Sequence, residues 1–218
     1  MEMIFKAAEL TRQELGERDM ERINAQALRP LSREEVFAFR LAACNDQVDR
    51  DGERFTADTL AQLAALYVGK PVLRDHEWSA GAQTARVYDA QVDGGQLLLS
   101  CYMMRTPETA GTVAAIEGGI LRECSVGCSV QHVRCSICGA DQRETLCRHV
   151  AGHEYDGEVC VMELDGAADA YEVSLVAVPA QPGAGVVKAK RYGGTEPPED
   201  EHPLWAAEAA LEIEKLRF

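Results

Sequence analysis

The chain has 218 residues, of which 46% are hydrophobic and 6% aromatic, and its formal net charge is -14 at pH 7. This length can bury one good core, so we expect one main domain with small appendages. Binding along a phosphate backbone needs clustered Lys and Arg, so a chain this acidic is not expected to have a nucleic-acid partner.

The first thirty residues are rich in charges and contain no apolar signal-peptide core. No uninterrupted apolar stretch approaches the length of a membrane span, so we expect a protein that is neither secreted nor in contact with a membrane. Residues 9–28 carry a capping box from Thr11 to Glu14 and enough helix formers for an amphipathic helix. This segment is interpreted as an N-terminal arm.

The next elements are predicted from apolar spacing. Residues 35–44 indicate a first core strand, and the loop after it is rich in aspartate. That loop lacks the spacing and the terminal Glu of an EF-hand, so we interpret it as a solvated turn. Thr56 then caps a helix that Gly69 ends, before a strand expected to carry His76.

Two more elements precede the middle of the chain. Residues 84–104 predict a pair of strands joined by a turn at Asp93 to Gly95. A further helix is expected to begin at Thr106 and to end at Gly118.

Residues 120–130 have the two-residue periodicity of a strand, which assigns Cys124 and Ser125 to opposite faces. Cys124 shares its face with apolar neighbours, which disfavours it as a nucleophile, whereas Ser125 points away from them. Gly127, on the face of Ser125, is predicted to let a substrate backbone approach closely.

Ser125, His76 and Glu172 are the side-chain types of a nucleophile, its base and the group that orients the base. If His76 lies in a strand, its neighbours Asp75 and Glu77 point to the opposite face and do not easily reach its ring. A partner from another strand is required. Glu172 lies in a segment that otherwise predicts a core strand, where a carboxylate must be paired or lie at an edge.

The segments PVLRDH, EGGILRECSVGC and EVSLVAVPAQPGA together resemble the prohead maturation proteases of tailed phages. Those proteases are similar in fold to the herpesvirus assemblin proteases. The resemblance covers about residues 35–188, and it implies an α+β fold with a mainly antiparallel β-barrel flanked by helices. It also implies that Ser125 is the nucleophile and His76 the general base. Glu172 would be the third member, at the position of a histidine in the herpesvirus relatives.

Acyl transfer also needs N–H donors for the oxyanion, commonly backbone groups of a rigid turn. The segment from Pro179 to Pro182 offers such a turn, and within it only Ala180 and Gln181 have an N–H to donate. We therefore predict Ala180 and Gln181 as the backbone oxyanion donors.

The chain contains eight cysteines, which in a protein without an export signal are expected to be thiols or metal ligands. Four occur singly in apolar segments, where a buried thiol is the ordinary expectation. These four are Cys44, Cys101, Cys124 and Cys128.

The other four cysteines lie close together in the sequence, with two histidines among them. The cluster consists of Cys135, Cys138, Cys147, His149, His153 and Cys160. Four nitrogen and sulfur ligands suit a closed, structural zinc site, and His153 and Cys160 remain alternatives for the fourth position. A similar insert in some phage prohead proteases favours Cys135, Cys138, Cys147 and His149. A metal-free, reduced loop is the alternative, and no cofactor is expected in catalysis.

The predicted organisation has three parts. Residues 1–34 form the helical arm, and residues 35–188 form the protease domain with a zinc-knuckle insert at 134–160. Residues 189–218 form an acidic linker and a C-terminal helix. That helix is interpreted either as a solvated terminus or as a docking or propeptide segment.

The resemblance implies a serine endopeptidase that cleaves scaffold and major capsid precursor proteins, and itself, during procapsid maturation. Its location would be the host cytoplasm, inside the assembling procapsid. Related assemblins are active as dimers, so a homodimer is one expectation. The alternative is a catalytically silent, zinc-stabilised scaffold or assembly protein, and a third class is a metal-dependent hydrolase.

Overall fold

Ten β-strands and three α-helices make up the described part of the chain, which in the computed structural model comprises residues 15–179, 181 and 184–186. In chain order they are α1 (Glu17–Asn24), β1 (Val36–Asn45), β2 (Glu53–Phe55), α2 (Ala57–Tyr67), β3 (Pro71–Arg74), β4 (Ala85–Asp93), β5 (Gln96–Met104), α3 (Ala110–Glu117), β6 (Cys124–Cys135), β7 (Glu154–Tyr155), β8 (Glu158–Val159), β9 (Met162–Leu175) and β10 (Gly185–Val186). The predicted capping box at Thr11 to Glu14, Ala180 and the C-terminal helix lie outside these residues.

Eight strands form one sheet in the order β10-β1-β5-β4-β3-β9-β2, with β6 paired to β9. Only β2 and β3 run parallel to β9 among the described pairs, and the others are antiparallel. A single bridge between Glu123 and Gly185 brings the segment before β6 to β10, so the sheet curls back towards itself. The fold is therefore α+β and built on a curled, mainly antiparallel sheet, as expected, with β7 and β8 forming a separate hairpin in the cysteine-rich insert.

Helix α2 covers the inner face of this sheet and follows its sequence signals closely. The Thr56 hydroxyl accepts a hydrogen bond from the Thr59 N–H, which satisfies one free donor of the first turn. Leu60, Leu63 and Tyr67 are fully buried in the core cluster. No helix of the described ranges is long and apolar enough to cross a membrane.

The segment around His76 differs from its prediction. Strand β3 ends at Arg74, and Asp75 and His76 have φ angles of 50° and 55°, so both adopt the left-handed conformation. The expectation that His76 lies in a strand is therefore wrong. The turn forms because the Asp75 N–H donates to the Leu175 carbonyl at 3.0 Å and the His76 N–H to the Ser174 hydroxyl at 3.1 Å. Contacts with β9 override the local preference for extended backbone.

Strand β6 also differs from its expected bounds. It begins at Cys124 rather than near Ile120, which is 77% exposed after α3, and it continues to Cys135. Its long pairing with β9 explains the extension, since each added residue gains ladder hydrogen bonds.

Candidate active site and metal centre

The register of β6, β9 and β3 decides which side chains share a face. Ser125 lies opposite Ser174, Gly127 lies opposite Glu172, and Leu73 of β3 pairs with Ser174. Directly paired residues point to the same side of a sheet, so all five belong to the outer face. Alternate residues on these strands enter the core. The structure thus places Ser125 on the side away from the apolar core.

Cys124 occupies the inner face. Its side chain is fully buried, and its thiol donates to the Ala42 carbonyl at 3.4 Å. Burial raises the pKa of Cys124, which keeps the thiol protonated and inert. Its position and its protonation both argue against Cys124 as a nucleophile.

The loop that follows β3 folds over the outer face and carries His76 above β9. The His76 Nδ1 atom lies 2.8 Å from Glu172 Oε1, and the His76 side chain remains 41% exposed. A carboxylate has no proton to donate, so Nδ1 must carry the hydrogen, which leaves Nε2 unprotonated in the neutral ring. The imidazole is therefore held in the tautomer that a general base requires, with access to solvent.

Glu172 is a buried carboxylate whose oxygens both have partners. It is 2% exposed, and besides the contact with His76, its Oε2 accepts a hydrogen bond from the Ser174 hydroxyl at 2.5 Å. A buried carboxylate needs hydrogen-bond partners, and here His76 and Ser174 provide one for each oxygen. Glu172 is thus fixed in position and does not lie at a sheet edge.

Gly127 provides the space for this carboxylate. A Cβ atom added at Gly127 would lie 3.2 Å from Glu172 Cδ and closer still to Oε1. The carbonyl of Gly127 accepts a hydrogen bond from the buried Tyr67 hydroxyl at 3.1 Å. The room predicted to admit a substrate backbone is therefore filled by Glu172.

Ser125 lies beside this arrangement and is half-buried. Because Ser174 is its cross-strand partner, the Cβ atoms of the two serines are about 4.5–5.5 Å apart. Among the hydrogen bonds of the described residues, none joins Ser125 Oγ to His76. The structure therefore contains the hydrogen bond between His76 and Glu172 but not one between Ser125 and His76. In catalytic sites, such hydrogen bonds are often long before substrate binds.

Gln181 of the predicted oxyanion segment lies in the same region. Gln181 shares the lining of a cavity of about 200 Å³ with Ser125. The Gln181 side chain holds the end of β1, since its Oε1 accepts from the Asn45 N–H at 2.7 Å and its Nε2 donates to the Asn45 carbonyl at 3.1 Å. Gln181 itself is thereby held beside the cavity that Ser125 lines.

A second cavity, of about 230 Å³, lies between the His76 loop and the sheet. Trp78 and Tyr171, whose ring centroids are 5.8 Å apart, line this cavity together with Glu172. One cavity is thus lined by Ser125 and the other by Glu172.

The cysteine-rich insert brings four metal-binding side chains together. The ligand atoms of Cys135, Cys138, Cys147 and His149 all lie within 4.8 Å of one another. Ligands of a tetrahedral zinc ion are roughly 3.8 Å apart, so the cluster is close to a metal-binding arrangement. His153 is outside the group, and His149 therefore takes the fourth position.

The chemistry of these donors fits a metal cation. Burial raises the pKa of Cys135, but N–H groups of Cys138 and Ile137 outweigh this effect and lower that pKa to about 7. The Gln142 amide donates to Cys147 Sγ at 3.1 Å. The Tyr155 ring packs edge-on against the His149 ring, with the ring centroids 4.6 Å apart, and this contact restricts the imidazole. Such surrounding groups orient metal ligands. They favour the thiolate form of Cys135, whereas at Cys138 the effect of the Ala140 N–H is outweighed by burial and the neighbouring thiols, which raise the pKa.

Cys160 lies next to the cluster without belonging to it. Its Sγ is 3.8 Å from Cys135 Sγ, and it is fully buried. Burial raises the pKa of Cys160 to about 11, so it remains a neutral thiol beside the ligands.

The cluster is remote from the outer-face site. Ser125 and Cys135 lie near opposite ends of β6, and the strand between them has a contour length of about 33 Å at roughly 3.3 Å per residue. A metal there cannot touch the atoms near His76, which argues against a metal-dependent hydrolase.

Sequence reasoning missed three features of these sites. Ser174 and the left-handed turn at His76 were not anticipated, nor was the pair formed by His132 Nδ1 and Asp141 Oδ2 at 2.6 Å. Ser174 had a readable signal, because it lies two residues after Glu172 on one strand and so shares its face.

Comparison with known proteins adds little to this description. No protein-family model matches the chain. No match is found among curated proteins. Among solved structures, the chain is similar to the KSHV protease in complex with a hexapeptide phosphonate inhibitor, with a TM-score of 0.40 and 11% sequence identity. The match covers 70% of this chain and 64% of that one, so this chain spans less than two-thirds of the protease's length.

Proposed function

We propose that the protein is a serine endopeptidase in which Ser125 is the nucleophile, His76 the general base and Glu172 the group that orients the base. The observation that supports this proposal is the hydrogen bond between His76 Nδ1 and buried Glu172, formed on the sheet face that carries Ser125. A buried carboxylate that holds a solvent-accessible imidazole over the sheet face of a serine supports acyl-transfer chemistry.

In the proposed reaction, His76 Nε2 removes the proton from Ser125 Oγ as that oxygen attacks the peptide carbonyl carbon. The oxyanion that forms accepts hydrogen bonds from the backbone N–H groups proposed at Ala180 and Gln181. The imidazolium then gives its proton to the leaving amine as the C–N bond breaks, leaving an acyl-enzyme on Ser125. Water, deprotonated by His76, then attacks the acyl carbon; the bond from that carbon to Ser125 Oγ breaks, and the imidazolium returns the proton to Oγ as the acid is released. Glu172 stabilises the imidazolium in both halves.

The proposed substrates are scaffold and major capsid precursor proteins and the chain itself, within a procapsid assembling in the host cytoplasm. This assignment rests on the resemblance of the motifs around His76, Ser125 and Glu172 to those of phage prohead proteases. A homodimer is proposed on the same basis.

Replacing Ser125 with Ala is expected to abolish peptide cleavage while the fold is retained. A proteome-derived peptide library, incubated with wild type and with Ser125→Ala, is analysed for new termini by mass spectrometry. The proposal expects new termini with the wild type alone. New termini from both proteins would show that Ser125 is not the nucleophile, and their absence from both would favour the catalytically silent assembly protein.

We also propose that Cys135, Cys138, Cys147 and His149 hold a structural zinc ion. Bound there, the ion would hold the insert in a fold that is too small to be stable by hydrophobic burial alone. The supporting observation is the convergence of four soft donors with hydrogen-bonded sulfur atoms.

Cys138→Ser is expected to lose the zinc, which elemental analysis of the wild type should find at one ion per chain. The insert should then be cut readily in limited proteolysis, because its local stability depends on the metal. Cys101→Ser, which removes a core thiol outside the cluster, should keep the ion. A chelator should reduce cleavage only as far as it unfolds the protein, and loss of activity with an intact circular dichroism spectrum would contradict a structural role.

A further inference from the structure

We infer that Ser174 is a positioning residue for the reaction, because it fixes the base and its orienting carboxylate through one hydroxyl. This inference rests on the proposed function of Ser125, His76 and Glu172. Ser174 does not touch the reacting atoms, and its effect is transmitted through His76 and Glu172.

The hydroxyl of Ser174 makes two hydrogen bonds with different partners. It donates to Glu172 Oε2 at 2.5 Å and accepts from the His76 backbone N–H at 3.1 Å. Its side chain is fully buried, so water cannot replace either bond. A hydroxyl has one proton to donate and two lone pairs to accept, and this arrangement uses the proton and one lone pair.

The bond to Glu172 fixes the orientation of the carboxylate. Since Oε2 is held by Ser174, Oε1 is the oxygen left to receive the proton of His76 Nδ1, at 2.8 Å. Without Ser174, the carboxylate can rotate about its terminal torsion, which is a soft coordinate. The imidazole would then lose its defined plane.

The bond to the His76 N–H holds the strained backbone of the base. Asp75 and His76 both have left-handed φ angles, a conformation with an energetic cost for residues other than glycine. Two anchors from β9 offset this cost, the Leu175 carbonyl at Asp75 and the Ser174 hydroxyl at His76. Such conformations persist only where surrounding contacts determine them, and Ser174 provides one of these contacts.

Ser174 is also the cross-strand partner of the nucleophile. Ser125 and Ser174 face each other across β6 and β9. Ser174 is therefore next to Ser125 in the sheet and is hydrogen-bonded to both His76 and Glu172. Ser174 itself is excluded as a nucleophile, since it is inaccessible and its proton is committed to Glu172.

Ser174→Ala is expected to lower kcat by about 10²-fold with little change in KM, the effect typical of a misplacement of about 1 Å in a catalytic group. Ser174→Thr keeps the hydroxyl and suits a strand, so it should restore most of the rate. The matched control is Ser100→Ala, which removes the hydroxyl of another buried strand serine, in β5. It should cleave like the wild type.

A spectroscopic measurement accompanies the kinetics. The proton of a histidine Nδ1 bound to a carboxylate resonates far downfield in the proton NMR spectrum, and wild type should show this signal for His76. Ser174→Ala should lose or broaden it, whereas Ser174→Thr and Ser100→Ala should keep it. The signal is also recorded in Ser125→Ala, which is expected to be inactive, so that the spectrum reports the contact between His76 and Glu172 without any cleavage taking place.

The outcomes separate this inference from the proposed function. Wild-type kcat in Ser174→Ala, or an unchanged downfield signal, would overturn the positioning role while Ser125-dependent cleavage still stood. If wild type shows no Ser125-dependent cleavage, the proposed function fails. The NMR signal still decides whether Ser174 holds the pair of His76 and Glu172.

Discussion

Replacing Glu172 with Gln is expected to lower kcat by about 10⁴-fold, the scale of loss when a triad carboxylate becomes an amide. The side chain keeps its size, and an amide oxygen can still accept the Ser174 hydroxyl, so the fold should be retained. The amide nitrogen can then donate to His76 Nδ1, which favours the tautomer with the hydrogen on Nε2. A protonated Nε2 cannot accept the proton of Ser125.

The measurement is kcat on a peptide taken from the library digest, with the fold monitored by circular dichroism. Glu163→Gln is the matched control, because Glu163 lies on the same strand but forms an ion pair with Arg54, away from the site. It should cleave like the wild type. A rate for Glu172→Gln within tenfold of wild type would show that this carboxylate does not orient the base.

Gly127→Ala is expected to reduce kcat by at least about 10²-fold, because the new methyl group occupies the space of the Glu172 carboxylate. The carboxylate must move, and its hydrogen bonds to His76 and Ser174 are lost together. Each buried polar group left without a partner costs roughly 1–3 kcal/mol, so the free energy of unfolding should fall as well.

Urea denaturation and peptide kinetics measure the two effects of this substitution. Gly111→Ala is the control, since nothing lies within 4 Å of an added Cβ at that position in α3. Alanine favours a helix over glycine by about 1 kcal/mol, so this control should be neutral or slightly more stable. Wild-type kinetics in Gly127→Ala would mean that the position of Glu172 does not control the rate.

Elements with regular periodicity were predictable from the sequence. The apolar stripe of α2 and the capping Thr56 agree with the structure, as does the alternation that turns Ser125 away from the core. In these segments, local propensity and burial favour the same conformation.

The loop at His76 was not predictable in the same way. The left-handed backbone of Asp75 and His76 is stabilised by hydrogen bonds to β9, which lies about a hundred residues later in the sequence. No local pattern encodes such a contact. The same holds for the fit between Gly127 and Glu172, which depends on cross-strand register.

The metal-binding residues show a similar division. The spacing of Cys135, Cys138 and Cys147 indicates a metal site directly, because thiols separated by short loops can bind the same cation. The fourth ligand could not be decided from spacing, since His149, His153 and Cys160 are all near in sequence. The structure favours His149 over the other two, because its ring lies among the thiols and against Tyr155.

The central claim is that His76 and Glu172 make Ser125 nucleophilic, and covalent labelling tests it most directly. The folded chain is incubated with an alkyl fluorophosphonate, and the adduct is located by intact-mass and peptide mass spectrometry. The account predicts one adduct per chain, on Ser125, absent in Ser125→Ala and formed far more slowly in His76→Ala. An adduct on another residue, or a Ser125 that stays unmodified in the folded wild type, would contradict it.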